Sequence, residues 1–277
     1  MRSRSGMLVF DRKFIRRSAK EKLRSTNLAE IFFKQAISEV RFLLRNKTSF
    51  RKRTNFEALR AYRAMDSVEF ELINARQQWA NWRLIPKNLS GHVPAAPMCA
   101  IDLCCGTGQS TEVLGWYLPK GSWILGLEYN PEFVRLAQAR EYRHHEGEAA
   151  DVNFRTQSVL EPFRTPEGEL IEDSSIDLIN SCGAVGCHFD RAATETLARE
   201  VSRVLKPGGL ATIDSGAPGT KKSLLVDIFE SCGFEVVQAK KSVFLDPYTQ
   251  VCFRKPDHQA GGSLAGKDSQ DAWSTSS

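Results

Sequence analysis

The sequence predicts a three-layer α/β sandwich with a mostly parallel, seven-stranded sheet, preceded by a helical extension. Three observations carry this prediction. Short apolar runs alternate with helical stretches from Cys99 to Phe253, as in strand–helix–strand units whose sheet is covered on both faces. The first run ends at Asp102 and breaks into the turn Gly106-Thr107-Gly108, and the second ends at Glu128. The charge is also divided: residues 1–63 carry 18 Lys+Arg against 5 Asp+Glu, a net of +13, and the rest carry 20 against 28, a net of −8. A basic extension thus precedes a mildly acidic domain.

The 277 residues, 42% hydrophobic and 26% charged, suffice for one large domain with a sizeable core. No run approaches the ~18 to 20 apolar residues that span a bilayer. Seven scattered cysteines, two of them adjacent at Cys104 and Cys105, do not form a disulfide framework and point to a reducing, cytoplasmic setting. They lack paired spacing for a zinc site, so no metal is expected.

Residues 1–26, rich in Arg and Ser, read as a loosely ordered basic arm. A mitochondrial transit peptide shares that composition, but Asp11 and Glu21 interrupt it. Such an arm suits nucleic acid or acidic lipid, although most charge runs are simply solvated. From Asn27, a plausible N-cap, a helix is predicted by Leu28, Ile31, Phe32, Ile37, Val40 and Leu44. A second helical region from about Asn55 carries Phe56, Leu59, Tyr62, Met65, Phe70, Ile73, Trp79 and Trp82 and stops before Pro86. Residues 86–97, with three prolines, read as a linker that closes an N-terminal unit of residues 27–97.

The domain proper is predicted over residues 98–254. The glycine turn after Asp102 allows φ > 0 and close backbone approach to a ligand, and it opens a short helix over 110–118. A strand over 122–128 follows. Glu128 lies 22 residues past Gly106, near the ~20 expected of a carboxylate that accepts two ribose hydroxyls. Asn130 suits an N-cap and Pro131 the first helical position of a helix predicted over 132–145. Further strands are expected over 152–156 and 176–181, and a helix over 191–205. The turn Lys206-Pro207-Gly208-Gly209 leads into a fifth strand ending at Asp214. A helix over 221–232 and strands over 234–238 and 249–253 complete the domain, and the Gly- and Ser-rich tail over 255–277 is expected to be disordered.

The ordered set 98–108, Gly126-Leu127-Glu128-Tyr129-Asn130-Pro131, and Arg203 to Gly209 resembles the class I S-adenosylmethionine-dependent methyltransferases, whose domain is Rossmann-like. The resemblance covers about 155 residues. It implies S-adenosylmethionine as cofactor, Asp102 as the acid of the first motif, and Cys104, Gly106 and Gly108 on the three glycine places, with Thr107 between them. Cys104 departs from the pattern. It further implies Glu128 on the ribose, Tyr129 against adenine, Ser158 or the backbone of Val159 at the adenine amino group, and Asn180 at the strand end facing the transferred methyl. The N-terminal helices would then form a lid, with Tyr62, Arg63, Met65 and Trp79 as its residues of interest, each also explicable as helix packing.

His188 is the candidate general base, since an imidazole titrates near neutral pH. The segment after Asn180 is not the N-P-P-Y or D-P-P-Y of amino-directed nucleic-acid methyltransferases, which favours a small-molecule acceptor. Three alternatives stay open: an RNA or protein methyltransferase using the basic arm, a non-catalytic S-adenosylmethionine-binding regulator, and a nicotinamide dehydrogenase, against which the missing G-x-G-x-x-G spacing speaks.

Overall fold

The computed structural model describes residues 6–47, 60–241 and 249–257. Among the described residues the chain opens with α1 (Arg12–Lys22) and α2 (Leu28–Asn46), followed by a helical turn over 60–63 and by α3 (Ser67–Ile73) and α4 (Ala75–Leu89). The domain continues with β1 (Cys99–Leu103), α5 (Gln109–Tyr117), β2 (Trp123–Glu128), α6 (Pro131–Gln138), β3 (Asp151–Thr156) and β4 (Ile176–Ser181). It ends with α7 (Val185–His188), α8 (Arg191–Val204), β5 (Leu205–Ser215), α9 (Lys222–Ser231), β6 (Glu235–Lys240) and β7 (Thr249–Arg254).

Seven strands form one sheet in the order β3-β2-β1-β4-β5-β7-β6. All neighbours pair parallel except β7, which runs antiparallel to β5 and β6. This is the expected α/β class, and the alternation of side chains explains why its strands read as unbroken apolar runs. Ala100, Ile124, Leu178 and Leu210 face a core shared with Trp82, Ile85 and Leu114. Ile101, Leu125, Ile179 and Ile213 face the opposite core under α8 and α9, with Leu197, Val201, Leu225 and Phe229. Both faces are therefore covered. The register sets Asp102 beside Gly126 and Asn180, so β1, β2 and β4 end at a common level.

The N-terminal region departs from expectation. The basic arm is ordered over its described residues. Leu8, Phe10, Ile15 and Ala19 are buried in the same cluster as Trp82 and Tyr117, and Leu8 N donates to Val93 O at 2.9 Å. Its apolar residues are few but fall on one side of α1, and a helix needs only such a stripe to dock. Asp11, read as an interruption, caps α1 by accepting from Phe14 N at 2.7 Å. The second helical region is divided by the N-cap Asp66 and by Asn74, and α4 runs through Pro86 to Leu89. The helix after Pro131 stops at Gln138, and Tyr142 folds back to donate to Ala137 O at 2.9 Å. The predicted tail lies outside the described residues beyond Asp257.

Candidate functional site

The loop after β1 is held from beneath. Asp102 is fully buried and accepts from Ser110 Oγ at 2.7 Å, Thr111 Oγ1 at 2.6 Å and Asn180 Nδ2 at 2.8 Å. Burial pushes its carboxyl pKa up, and those three donors pull it back. Above it the backbone turns left-handed at Cys104 (φ 52°), Gly106 (φ 56°) and Gly108 (φ 82°). The non-glycine residue on the first glycine place thus adopts the conformation a glycine would supply. A Cβ on Gly106 would lie 2.6 Å from the Phe70 ring of α3, so any other residue must push that ring aside and also hold a left-handed φ.

Glu128 ends β2 with a different set of partners. Its Oε2 accepts from Gly106 N at 3.0 Å and its Oε1 from Asn130 N at 2.8 Å. Each oxygen keeps a lone pair for a further donor. Burial raises its pKa and the backbone donors oppose the rise. Asn130 and Pro131 take their expected places, with Asn130 Oδ1 accepting from Glu132 N at 3.1 Å.

These groups line a cavity of about 1030 Å³, its open mouth included. Cys104, Gly106, Glu128, Tyr129, Ser158, Val159 and His188 all reach its wall, as do Tyr62 and Arg63 from the N-terminal helices. Asp102, Thr107, Gly108 and Asn180 do not line it. They lie behind the wall: Asp102 and Asn180 bind each other, Thr107 is buried, and Gly108 is pressed by the Tyr142 hydroxyl. The Ser158 hydroxyl already accepts from Leu160 N at 3.2 Å. Met65 and Trp79 belong to buried helix-packing clusters.

The far wall carries His188. Its Nε2 lies 3.0 Å from the Tyr62 hydroxyl, and its Nδ1 is buried with no partner. Loss of solvent depresses its pKa to about 4, so the ring is neutral at physiological pH. Arg63 donates to the Tyr129 hydroxyl at 2.7 Å and lies 4.9 Å from that ring's centroid. The remaining wall is aromatic, with Phe70 and Phe133 at 4.3 Å between centroids.

Two supports were not singled out from the sequence. Asp214, at the end of β5, accepts from Ser181 Oγ at 3.0 Å and from Gly186 N at 2.8 Å, holding the turn that carries His188. An acid closing a strand was its only sequence signal. Gln250 of β7 donates to Asn180 Oδ1 at 3.2 Å and accepts from Asn88 Nδ2 at 2.5 Å. The chain Thr111–Asp102–Asn180–Gln250–Asn88 therefore crosses the sheet from α5 to α4.

Residues 100–209 match the model of a methyltransferase domain. Over these 110 of its 277 residues the chain is similar to a methyltransferase domain. It is 28% identical over 114 residues to the demethylmenaquinone methyltransferase of Lactobacillus johnsonii, the match covering 40% of each chain. It is 28% identical over 174 residues to an uncharacterised methyltransferase of Synechocystis sp., covering 59% of this chain and 71% of the relative. The chain thus spans well under half of the first relative. A Haloferax volcanii structure, the complex between the Trm112 methyltransferase activator and a methyltransferase, shares the fold at 16% identity and a TM-score of 0.50, over 69% of this chain and 98% of that one.

The methyltransferase domain fits its cofactor, S-adenosylmethionine. A Cβ at Gly106 would meet the Phe70 ring, and the Glu128 carboxylate has acceptor capacity to spare toward the cavity.

Proposed function

We propose that the chain transfers a methyl group from S-adenosylmethionine to a small-molecule acceptor with an apolar or aromatic body. The observation that supports this reading most is one cavity whose wall joins the glycine loop and Glu128 to an aromatic half with a single neutral imidazole. Gly106 and Cys104 would cradle the methionine end, Glu128 would accept the ribose hydroxyls, Tyr129 would pack on adenine, and the Ser158–Val159 backbone would meet its edge. Asp102, Thr107, Gly108 and Asn180 would act from behind the wall by holding that loop. The name of the Lactobacillus relative is compatible with such an acceptor.

When bound, the cofactor supplies an electrophilic methyl on a sulfonium, so the protein's task is mainly alignment and exclusion of water. Phe70, Phe133 and Phe189 exclude water from the far half. His188, a neutral ring whose Nε2 lies 3.0 Å from the Tyr62 hydroxyl, would take a proton from a hydroxyl acceptor by way of that hydroxyl. The seven free thiols support a reducing compartment such as the cytoplasm.

Calorimetry with S-adenosylmethionine and NAD tests the reading. Binding of the first alone is expected, and tight NAD binding without response to the sulfonium compound overturns it. Methyl transfer from labelled cofactor is then expected into the small-molecule fraction of a cell extract, and label confined to RNA or protein overturns the acceptor class.

A further inference from the structure

Five cations from three elements meet on one face of the molecule, away from the cavity. Arg12 and Arg16 project from one flank of α1, and Arg83 and Lys87 from the facing side of α4. Both pairs are spaced i,i+4, so each helix presents a row of two charges. Packing of Ile15 and Ala19 in the cluster of Trp82, Ile85 and Leu89 holds the rows side by side. The fifth cation, Lys240 at the end of β6, donates to Lys87 O at 3.2 Å. Partial burial first, and then the other four cations, depress the pKa of Lys87. Arg83 is held by its bond to Trp79 O at 3.1 Å and lies 3.8 Å from the Trp79 ring centroid.

None of the five takes part in an ion pair among the described residues, although ion pairs occur elsewhere on the surface. Like charges gathered this way repel one another, and a polyanion relieves the repulsion. A bilayer would need exposed apolar side chains beside the cations. On α1, Ile15 and Ala19 are committed to the core and Phe14 packs edge-on against Tyr117 and His145. Arginine forks and rows of cations match successive phosphates.

We propose that the face formed by α1, α4 and the end of β6 docks the phosphodiester backbone of a nucleic acid, with Arg12, Arg16, Arg83, Lys87 and Lys240 as its contacts. The contact is to phosphates and carries no base readout. Arg83 and Lys87 lie roughly 14 and 20 Å along α4 from Asn74, which lines the cavity. The surface is therefore separate from the methyl-transfer site, and its existence does not depend on the acceptor proposed above.

The test is fluorescence anisotropy of the full chain with a labelled RNA hairpin of roughly 20 nucleotides, between about 50 and about 200 mM KCl. Five phosphate contacts would weaken binding about 500-fold across that range. The double variant Arg12→Glu/Arg16→Glu is expected to lose at least about tenfold in affinity and to flatten the salt slope by about 2. Arg191→Glu/Arg199→Glu on α8, with the same change in net charge, is expected to bind as the parent does. If thermal melting shows the first variant unfolded, Lys87→Gln/Lys240→Gln takes its place. Calorimetry with S-adenosylmethionine is expected to be unchanged in every variant, so loss of RNA binding is separable from failure of the cofactor site. No hairpin binding at the lower salt, equal weakening by the patch and α8 variants, or capture by phosphatidylserine vesicles in preference to the hairpin would each overturn the proposal.

Discussion

Asp102 and Glu128 end neighbouring parallel strands, and burial raises the pKa of both, yet they face opposite ways. Asp102 accepts from three side-chain donors and is sealed from solvent. Glu128 takes two backbone N–H groups and turns its remaining capacity to the cavity. The first is a brace for the loop, and the second leaves acceptor capacity facing the cavity. An acid at a strand end is thus not by itself a binding residue, since its partners decide which it is.

That contrast can be broken by substitution. Asp102→Ala leaves Ser110, Thr111 and Asn180 without their acceptor, and urea melts are expected to show a loss of about 3 kcal/mol. Unchanged stability with lost cofactor binding would make it a ligand after all. Glu128→Ala is expected to stay within about 1 kcal/mol of parental stability while its calorimetric affinity for S-adenosylmethionine drops about 10- to 100-fold. Tyr62→Phe, which removes the hydroxyl beside His188, is expected to lower kcat about fivefold with little change in cofactor affinity.

The smallest effect concerns pH. A base whose pKa is depressed stays unprotonated until the pH falls through that value, here about 4. The profile of kcat/KM should therefore show no histidine limb between about pH 6 and about pH 8. A fall through the ordinary histidine range that vanishes in His188→Gln would show that the ring is not desolvated in solution.

The fold was legible because its strands are buried on both faces and its turns are written in Gly, Pro and Asn. The site was legible where local spacing governs it, as from Gly106 to Glu128 and at Asn130-Pro131. It was illegible where partners come from distant strands. Nothing near Asn180 says that Asp102 occupies its amide, and nothing near Asp214 says that it holds the turn at Gly186. The N-terminal arm misled for a related reason: its cations dominate the composition, while a handful of apolar residues decides where it packs.

The polar chain from Thr111 to Asn88 also bears on how the molecule can be cut. Asn88 belongs to the helical extension and Gln250 to the last strand, and each satisfies the other within a closed interior. Trp82 and Ile85 seal the same face of the sheet. A truncation beginning at Met98 would uncover that face and take from Gln250 Oε1 its donor Asn88, while the Gln250 amide nitrogen kept Asn180 and Ser181; the helical extension is thus part of the packing of the sheet.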